Sequence, residues 1–185
     1  MDHGPIRRIH AHHGEAYPEA IGDRMILDRR LASTQPEETK SMDYSYFAVI
    51  EPDPDGGFLV SFPDVPEALT SGYDLAEAKA NASDALGMAL RGYLAHGQAL
   101  PRPAARAGKG RVEVAVEVSD ALKLAVIVAF RASGMSKAEL ARRLGKAETE
   151  AYRILDPDHH TKASALEEAL AIFGKCAVVS IRDAA

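Results

Sequence analysis

The chain has 185 residues, of which 46% are hydrophobic, and a formal net charge of −5. This composition favours one globular domain or two small ones with an apolar core. The longest apolar run, residues 124–130, is too short to span a bilayer, and the first 20 residues hold no continuous apolar segment typical of a signal peptide. These observations exclude a membrane-spanning chain, and we expect a cytoplasmic protein that makes no membrane contact.

Charge is divided unevenly along the sequence. Residues 42–100 hold two basic and nine acidic side chains, a net charge of −7, whereas residues 119–175 hold nine basic and eight acidic ones, a net charge of +1. Between them, residues 101–111 add four basic side chains and no acidic one. An acidic front and a neutral to basic rear predict different partners for the two parts.

Residues 1–41 show no sustained apolar repeat and are predicted to be a flexible N-terminal extension. Because the first strongly patterned stretch opens at Met42, we hypothesise that the native chain starts there. Histidines cluster at His10, His12 and His13, but no carboxylate or Cys stands at a spacing that would complete a metal site. No metal or other cofactor is expected, and the lone Cys176 is expected to be a buried small apolar side chain.

The front part reads as a small sheet with one helix. Apolar positions alternate over residues 44–50 and 58–62, and the PDPDGG between them predicts a hairpin turn. A short third strand is predicted around residues 68–71. Asp74 and Glu77 then form a capping-box-like helix start, and the alternating valines of VEVAVEVS predict a final strand that returns to the same sheet.

The order strand, strand, strand, helix, strand and the phrase EPDPDGGFLVSFPDVPEALTSGYDLAEA resemble the N-terminal domain of HicB antitoxins. The resemblance implies a toxin-binding domain over residues 42–118, with a degenerate ribonuclease H-like fold that caps HicA, a small mRNA-cleaving toxin. An acidic domain suits capture of a basic RNA-binding surface. The side chains expected to contact a HicA-like toxin are four carboxylates: Asp53, Asp55, Asp64 and Glu67.

The front carboxylates also admit a nuclease with paired Mg²⁺ ions, since such sites gather acidic side chains. However, Asp53 and Asp55 lie in a Pro-rich turn where Asp is favoured for backbone reasons, and no Lys or His stands nearby as a general base. The sequence therefore favours a protein that is not an enzyme.

The rear part, residues 119–175, is predicted to form an all-α helix-turn-helix domain. A first helix is predicted between Ser119 as N-cap and Gly134, and a second begins with a capping box at Ser136. Gly145 permits the turn into a third helix, and ASALEEALAIFG predicts a fourth. Residues 176–185 are predicted to be a short strand, pairing across a dimer, or a tail.

SKAELARRLG, ILDPDHHTK and LEEALAIFG resemble the Cro/C1-type helix-turn-helix domains found on many HicB antitoxins. The resemblance implies binding of operator DNA by a homodimer or higher homo-oligomer, since negative charge at Glu148 and Glu150 opposes binding by one copy. The alternative is that these helices only dimerise. Some of the expected DNA contacts are cations that reach phosphates and some occupy base-reading positions; they are Lys137, Arg142, Arg143, Lys146, Ala147, Glu148, Thr149 and Arg153.

The predicted fold class is therefore α+β: a small antiparallel sheet with one helix, followed by an all-α helix-turn-helix domain. The predicted function is that of an antitoxin that sequesters a HicA-like toxin and represses its own operon. The alternative is a stand-alone transcriptional regulator whose front domain senses a ligand or partner.

Overall fold

A computed structural model describes residues 42–181 of the chain. The predictions for residues 1–41, including the histidine cluster, lie outside the described residues. Mixed α+β architecture, as predicted, is found in the described part. Its elements are, in order, β1 (Ser45–Pro52), β2 (Phe58–Ser61), β3 (Leu69–Gly72), α1 (Leu75–Ala95), β4 (Arg111–Ala115), α2 (Val118–Ser133), α3 (Lys137–Leu144), α4 (Glu148–Leu155) and α5 (Ala163–Ile172).

The four strands form one antiparallel sheet in the order β3-β2-β1-β4, so β3 and β4 are its edges. β1 and β2 make the predicted hairpin. Its turn is closed by two backbone bonds of 3.0 Å, from the Asp53 amide to the Gly57 carbonyl and from the Gly56 amide to the Asp53 carbonyl. Both glycines have positive φ, +107° and +85°, which explains the Gly-Gly pair at this turn.

Helix α1 covers one face of the sheet. Asp74 caps its start, since the Asp74 carboxylate accepts from the Glu77 amide at 2.8 Å, while the Glu77 carboxylate accepts from the Tyr73 amide at 2.7 Å. In the usual capping box the Glu side chain accepts from the amide of the N-cap residue. Here it accepts instead from the amide of Tyr73, the residue before the N-cap Asp74. Buried side chains of α1 pack on the inward side of the strands, and the largest fully buried side chains in this core are Tyr46, Phe62, Leu86, Leu90 and Leu124.

Helix α2 contributes to two apolar cores. Leu124 and Ile127 pack in the core beneath the sheet, whereas Leu122 and Val126 pack with α4 and α5. Residues 42–181 all lie within one compact unit of the chain. The division at residues 118 and 119 stays a prediction, and the shared helix is what joins its two sides.

The predicted start of α2 was wrong. Glu117, not Ser119, is the N-cap, and Val118 belongs to the helix rather than to the preceding strand. The first helical bond runs from the Ala121 amide to the Glu117 carbonyl at 2.8 Å. Alternating valines continue to Val118, past the end of β4 at Ala115, so the sequence pattern extended the strand three residues too far.

Helices α3 and α4 are joined by a three-residue turn, residues 145–147. The Ser136 hydroxyl accepts from the Glu139 amide at 3.1 Å, and Gly145 adopts φ +64°, which confirms the predicted cap and glycine turn. Leu140, Ala141 and Ala151 form the small core between the two helices, and Ile154 is buried as expected.

The C-terminal residues depart from one expectation. Cys176 is exposed, not buried, because residues 176–181 leave the surface after α5 without forming a helix or strand. Val178 and Ile181 are also exposed. Pairing of this segment across a dimer stays a prediction. Among the helices of the described part, none combines the length and apolar character needed to cross a membrane.

Candidate functional site

The four acidic residues expected to contact a toxin lie in two segments of the sheet domain, the name used here for the predicted toxin-binding domain of residues 42–118. Asp53 and Asp55 form the β1–β2 turn, where the Asp53 carboxylate accepts from the Asp55 amide at 2.9 Å. Asp64 and Glu67 lie in the loop between β2 and β3. Each pair is local in sequence, and the carboxylate of Asp53 is partly used in shaping its own turn.

Asp64 holds the segment between α1 and β4. Its carboxylate oxygen Oδ2 accepts from the amides of Ala104 and Ala105 at 3.0 and 2.8 Å. The adjacent Tyr46 hydroxyl donates to the Pro101 carbonyl at 2.8 Å. Burial, reinforced by the nearby Asp64 charge, raises the pKa of Tyr46 to about 12. Asp64 therefore has a structural role that the sequence did not indicate.

Glu67 is exposed and accepts from the Tyr93 hydroxyl at 2.5 Å. This hydrogen bond is the main cause that lowers the pKa of Glu67 and raises the pKa of Tyr93. Glu67 thus presents a fixed negative charge at the surface. Within residues 42–181, no group of three or more His, Cys, Asp or Glu side chains is arranged to hold a metal ion.

The cations expected to meet DNA are exposed or half-buried, and acidic side chains of the same region pair with them. Arg142 binds the Glu139 carboxylate through Nε at 2.9 Å and Nη2 at 2.7 Å, and Arg143 binds it through Nε at 2.7 Å. Arg143, and then Arg142, lower the pKa of Glu139. Because such exposed pairs contribute little to stability, a phosphate can replace the carboxylate at low cost.

The remaining cations of this set lie on α3, α4 and the turn between them. Lys146 pairs with Glu168 of α5 at 2.5 Å, and Arg153 pairs with Glu150 at 2.7 Å. The ammonium nitrogen of Lys137 lies 4.1 Å from the centre of the Tyr152 ring, a cation–π contact that joins α3 to α4.

The start of α4 carries the predicted base-reading residues. Ala147, Glu148 and Thr149 are all exposed there, and Ala147 is an N-cap without a side-chain hydrogen bond. The first amides of α4 therefore have no capping side chain, and such amides favour an anionic ligand. Glu148 and Glu150 oppose that preference with their own charge.

Lys123 is a functional candidate that the sequence analysis missed. Its side chain is 4% exposed and lies on α2. The ammonium donates to the Arg153 and Ile154 carbonyls at 3.1 and 3.0 Å and to the Thr161 hydroxyl at 2.7 Å, which fixes the end of α4. Burial lowers the pKa of Lys123 to about 8. The available signal was a lone lysine within the apolar run LKLAVIVAF.

The contact between α1 and α2 was also missed, because it joins residues distant in sequence. Arg91 of α1 binds both carboxylate oxygens of Asp120 at 2.5 Å. Arg131 of α2 donates to the Gln98 carbonyl at 3.0 Å and to the Leu94 carbonyl at the end of α1. These bonds tie the helix of the sheet domain to the first helix of the rear part.

Comparisons with known proteins agree with this architecture. Residues 45–125 match a protein family described as HicB_like antitoxin of bacterial toxin-antitoxin system. The chain is 38% identical over 130 residues to Antitoxin HicB of Escherichia coli strain K12, covering 70% of this chain and 94% of that protein. It is 37% identical over 136 residues to Antitoxin HicB 1 of Photorhabdus laumondii, covering 74% and 86%.

A third relative, Antitoxin HicB of Pseudomonas fluorescens strain Pf0-1, is 31% identical over 144 residues, which cover 78% of this chain and 98% of that protein. The acidic sheet domain and these similarities define a bacterial antitoxin. The chain belongs to the HicB antitoxin family.

Proposed function

We propose that this chain is the antitoxin of a type II toxin–antitoxin pair, which sequesters a HicA-like mRNA-cleaving toxin and represses its own operon. The observation that carries the proposal is the similarity to Antitoxin HicB across 94% of the length of the E. coli protein. The role is regulatory, and the proposal assigns no catalytic residue.

Toxin capture is assigned to the sheet domain. Its net charge of −7 over residues 42–100 complements a basic RNA-binding surface, so electrostatic attraction speeds the encounter and covers the face that RNA would use. Asp53, Asp55, Asp64 and Glu67 supply part of that charge. Of these, Glu67 and Asp55 are exposed, whereas Asp64 also anchors residues 104 and 105.

Co-expression tests toxin capture. A HicA-type toxin encoded beside this chain's gene should arrest growth when expressed alone, and expression of this chain should restore growth. Continued arrest in the presence of folded antitoxin would contradict the proposal. If growth is still rescued after residues 42–118 are removed, toxin capture lies outside the sheet domain and its assignment to that domain is wrong.

Operator binding is assigned to α3, α4 and their turn. We interpret the two short helices and their glycine turn as a helix-turn-helix in which α4 is the recognition helix. Five cations there can contact phosphates: Lys137, which lies over the Tyr152 ring, and Arg142, Arg143, Lys146 and Arg153, which would exchange carboxylate partners for phosphates. The acidic partners reduce the affinity of one copy, so binding as a dimer to two half-sites is part of the proposal.

Arg153→Ala tests this assignment. We expect affinity for operator DNA to fall by about 1–3 kcal/mol per bound copy if Arg153 reads a base, and the salt dependence to weaken if it contacts phosphate. Fluorescence anisotropy with DNA from the region upstream of the gene measures both. Arg106→Ala removes an exposed cation outside α3 and α4 and serves as the matched control.

The outcome also separates the two parts of the chain. Arg153→Ala should leave toxin neutralisation intact. Loss of neutralisation with retained DNA binding would reverse the proposed division of labour. If neither the wild-type chain nor the Arg153→Ala variant binds DNA, the helices serve dimerisation alone. A chain that binds DNA but no toxin would favour the alternative, a stand-alone transcriptional regulator.

A further inference from the structure

One edge of the sheet carries an open groove between β3 and α1, the β3–α1 groove. It is lined by Glu67, Leu69, Thr70, Asn81, Ala85 and Met88. Leu69 and Met88 are 66% and 65% exposed, although both are large apolar side chains. β3 has a strand neighbour on one side only. Apolar side chains grouped at an open sheet edge are typical of a protein-binding surface.

The walls of the groove are fixed by short contacts. Gly72 at the end of β3 approaches α1 so closely that a Cβ there would lie 2.4 Å from the Ala78 amide nitrogen. The Asn81 side chain donates to the Ser71 carbonyl at 2.9 Å, which ties α1 to β3 along the groove. A groove held in this way loses little entropy when a partner binds.

Acidic side chains surround this groove. Residues 63–90 hold five acidic residues and one basic residue. Glu67 forms part of the wall, and its ionised form is stabilised by Tyr93. Asp84 and Glu77 are exposed on α1, four residues before Met88 and Asn81, so each lies one helical turn from a lining residue. An apolar centre with a charged rim is the usual composition of a binding hot spot.

We propose that the β3–α1 groove is the docking site for the toxin, and that it receives an apolar side chain flanked by Lys or Arg residues. The inference rests on the proposed antitoxin function and names the surface that performs it. Charge complementarity selects this occupant. By contrast, the exposed apolar side chains of Val178 and Ile181 follow Lys175 and lack an acidic neighbour within residues 175–181.

Arg substitutions in the groove test the proposal with the full chain. The probe is the HicA-type toxin encoded beside this chain's gene, purified with its nuclease activity removed by mutation. Met88→Arg and Leu69→Arg should each raise the Kd at least tenfold, because a basic group replaces an apolar anchor facing a basic partner. Val178→Arg is the matched control and should leave the Kd within twofold of wild type.

Both substituted side chains are largely exposed, so the midpoint temperature of thermal unfolding should be unchanged. Met88→Ala provides a second, milder variant, which should also weaken toxin binding. If the wild-type chain binds toxin and both Arg variants bind equally well, the groove proposal is wrong while the antitoxin function stands. If the variants change the oligomeric state of the chain without toxin and leave the toxin affinity unchanged, the groove is an interface between copies of this chain. A wild-type chain that does not bind toxin overturns both proposals.

Discussion

Lys123 shows how one side chain can connect elements that the sequence presents separately. Its aliphatic stem lies among the apolar residues of α2, and its ammonium meets the last carbonyls of α4, where the helix dipole favours a cation. The Thr161 hydroxyl, just before α5, accepts the third bond. Periodicity alone could not reveal this role, since it depends on α4 and α5 folding back onto α2.

We expect Lys123 to give the stability of the chain a measurable pH dependence. Its folded-state pKa of about 8 is below the ordinary value of 10.5, so between these values the unfolded chain binds more protons. Raising the pH from 8 to 9.5 should therefore increase the unfolding free energy of wild type relative to Lys123→Gln. Urea unfolding at each pH measures this free energy. Lys109→Gln, which replaces an exposed lysine, is the control.

The neutral amine above pH 8 still donates two hydrogen bonds, so the bonds to the α4 carbonyls survive deprotonation. If the wild-type and Lys123→Gln curves stay parallel from pH 8 to 9.5, burial does not shift this lysine and the account of its role is incorrect.

At the scale of elements, local signals predicted most of the fold. The Pro, Asp and Gly residues of the hairpin turn, the Asp74 cap and Gly145 act on neighbouring backbone and can be recognised without tertiary contacts. The start of α2 could not be recognised so easily, because Val116 and Val118 have the same side chain but lie in different environments. Val116 is buried in the sheet core, and Val118 is exposed on the first turn of α2.

The segment between α1 and β4 depends on Asp64, and this can be tested with Asp64→Ala. The amides of Ala104 and Ala105 lose a charged acceptor, which should cost about 1–2 kcal/mol of stability. Hydrogen exchange of these two amides should become faster. Asp55→Ala, which removes a carboxylate from the hairpin turn, should leave both amides unchanged. Equal exchange rates in wild type and Asp64→Ala would contradict the anchoring role.

At the scale of the whole molecule, the acidic sheet domain and the helical part share α2. Leu124 and Ile127 face one core while Leu122 and Val126 face the other, and the Arg91–Asp120 pair adds a charged contact between α1 and α2. The sequence predicted both parts but not this connection, because alternate faces of one apolar helix look alike in a sequence. The shared helix physically links the surface proposed for toxin capture to the helices proposed for DNA binding.

The candidate sites were predicted to different degrees. The cations of α3 and α4 follow from a local motif, so their grouping was foreseen, although the carboxylates that pair with them were not. The β3–α1 groove was missed, since Leu69 and Met88 are separated by most of β3 and α1 and meet only in the folded chain. Acidic composition indicated a basic partner but could not indicate where it docks.

Co-purification tests the central claim, toxin capture, most directly. Tagged residues 42–185 would be expressed together with the reading frames that neighbour its gene, and the molar mass of the purified material would be measured by light scattering. We expect a stoichiometric complex with a small basic protein whose expression alone arrests growth. Recovery of the tagged chain without that protein, while the toxin is present and folded in the same cells, would contradict the account.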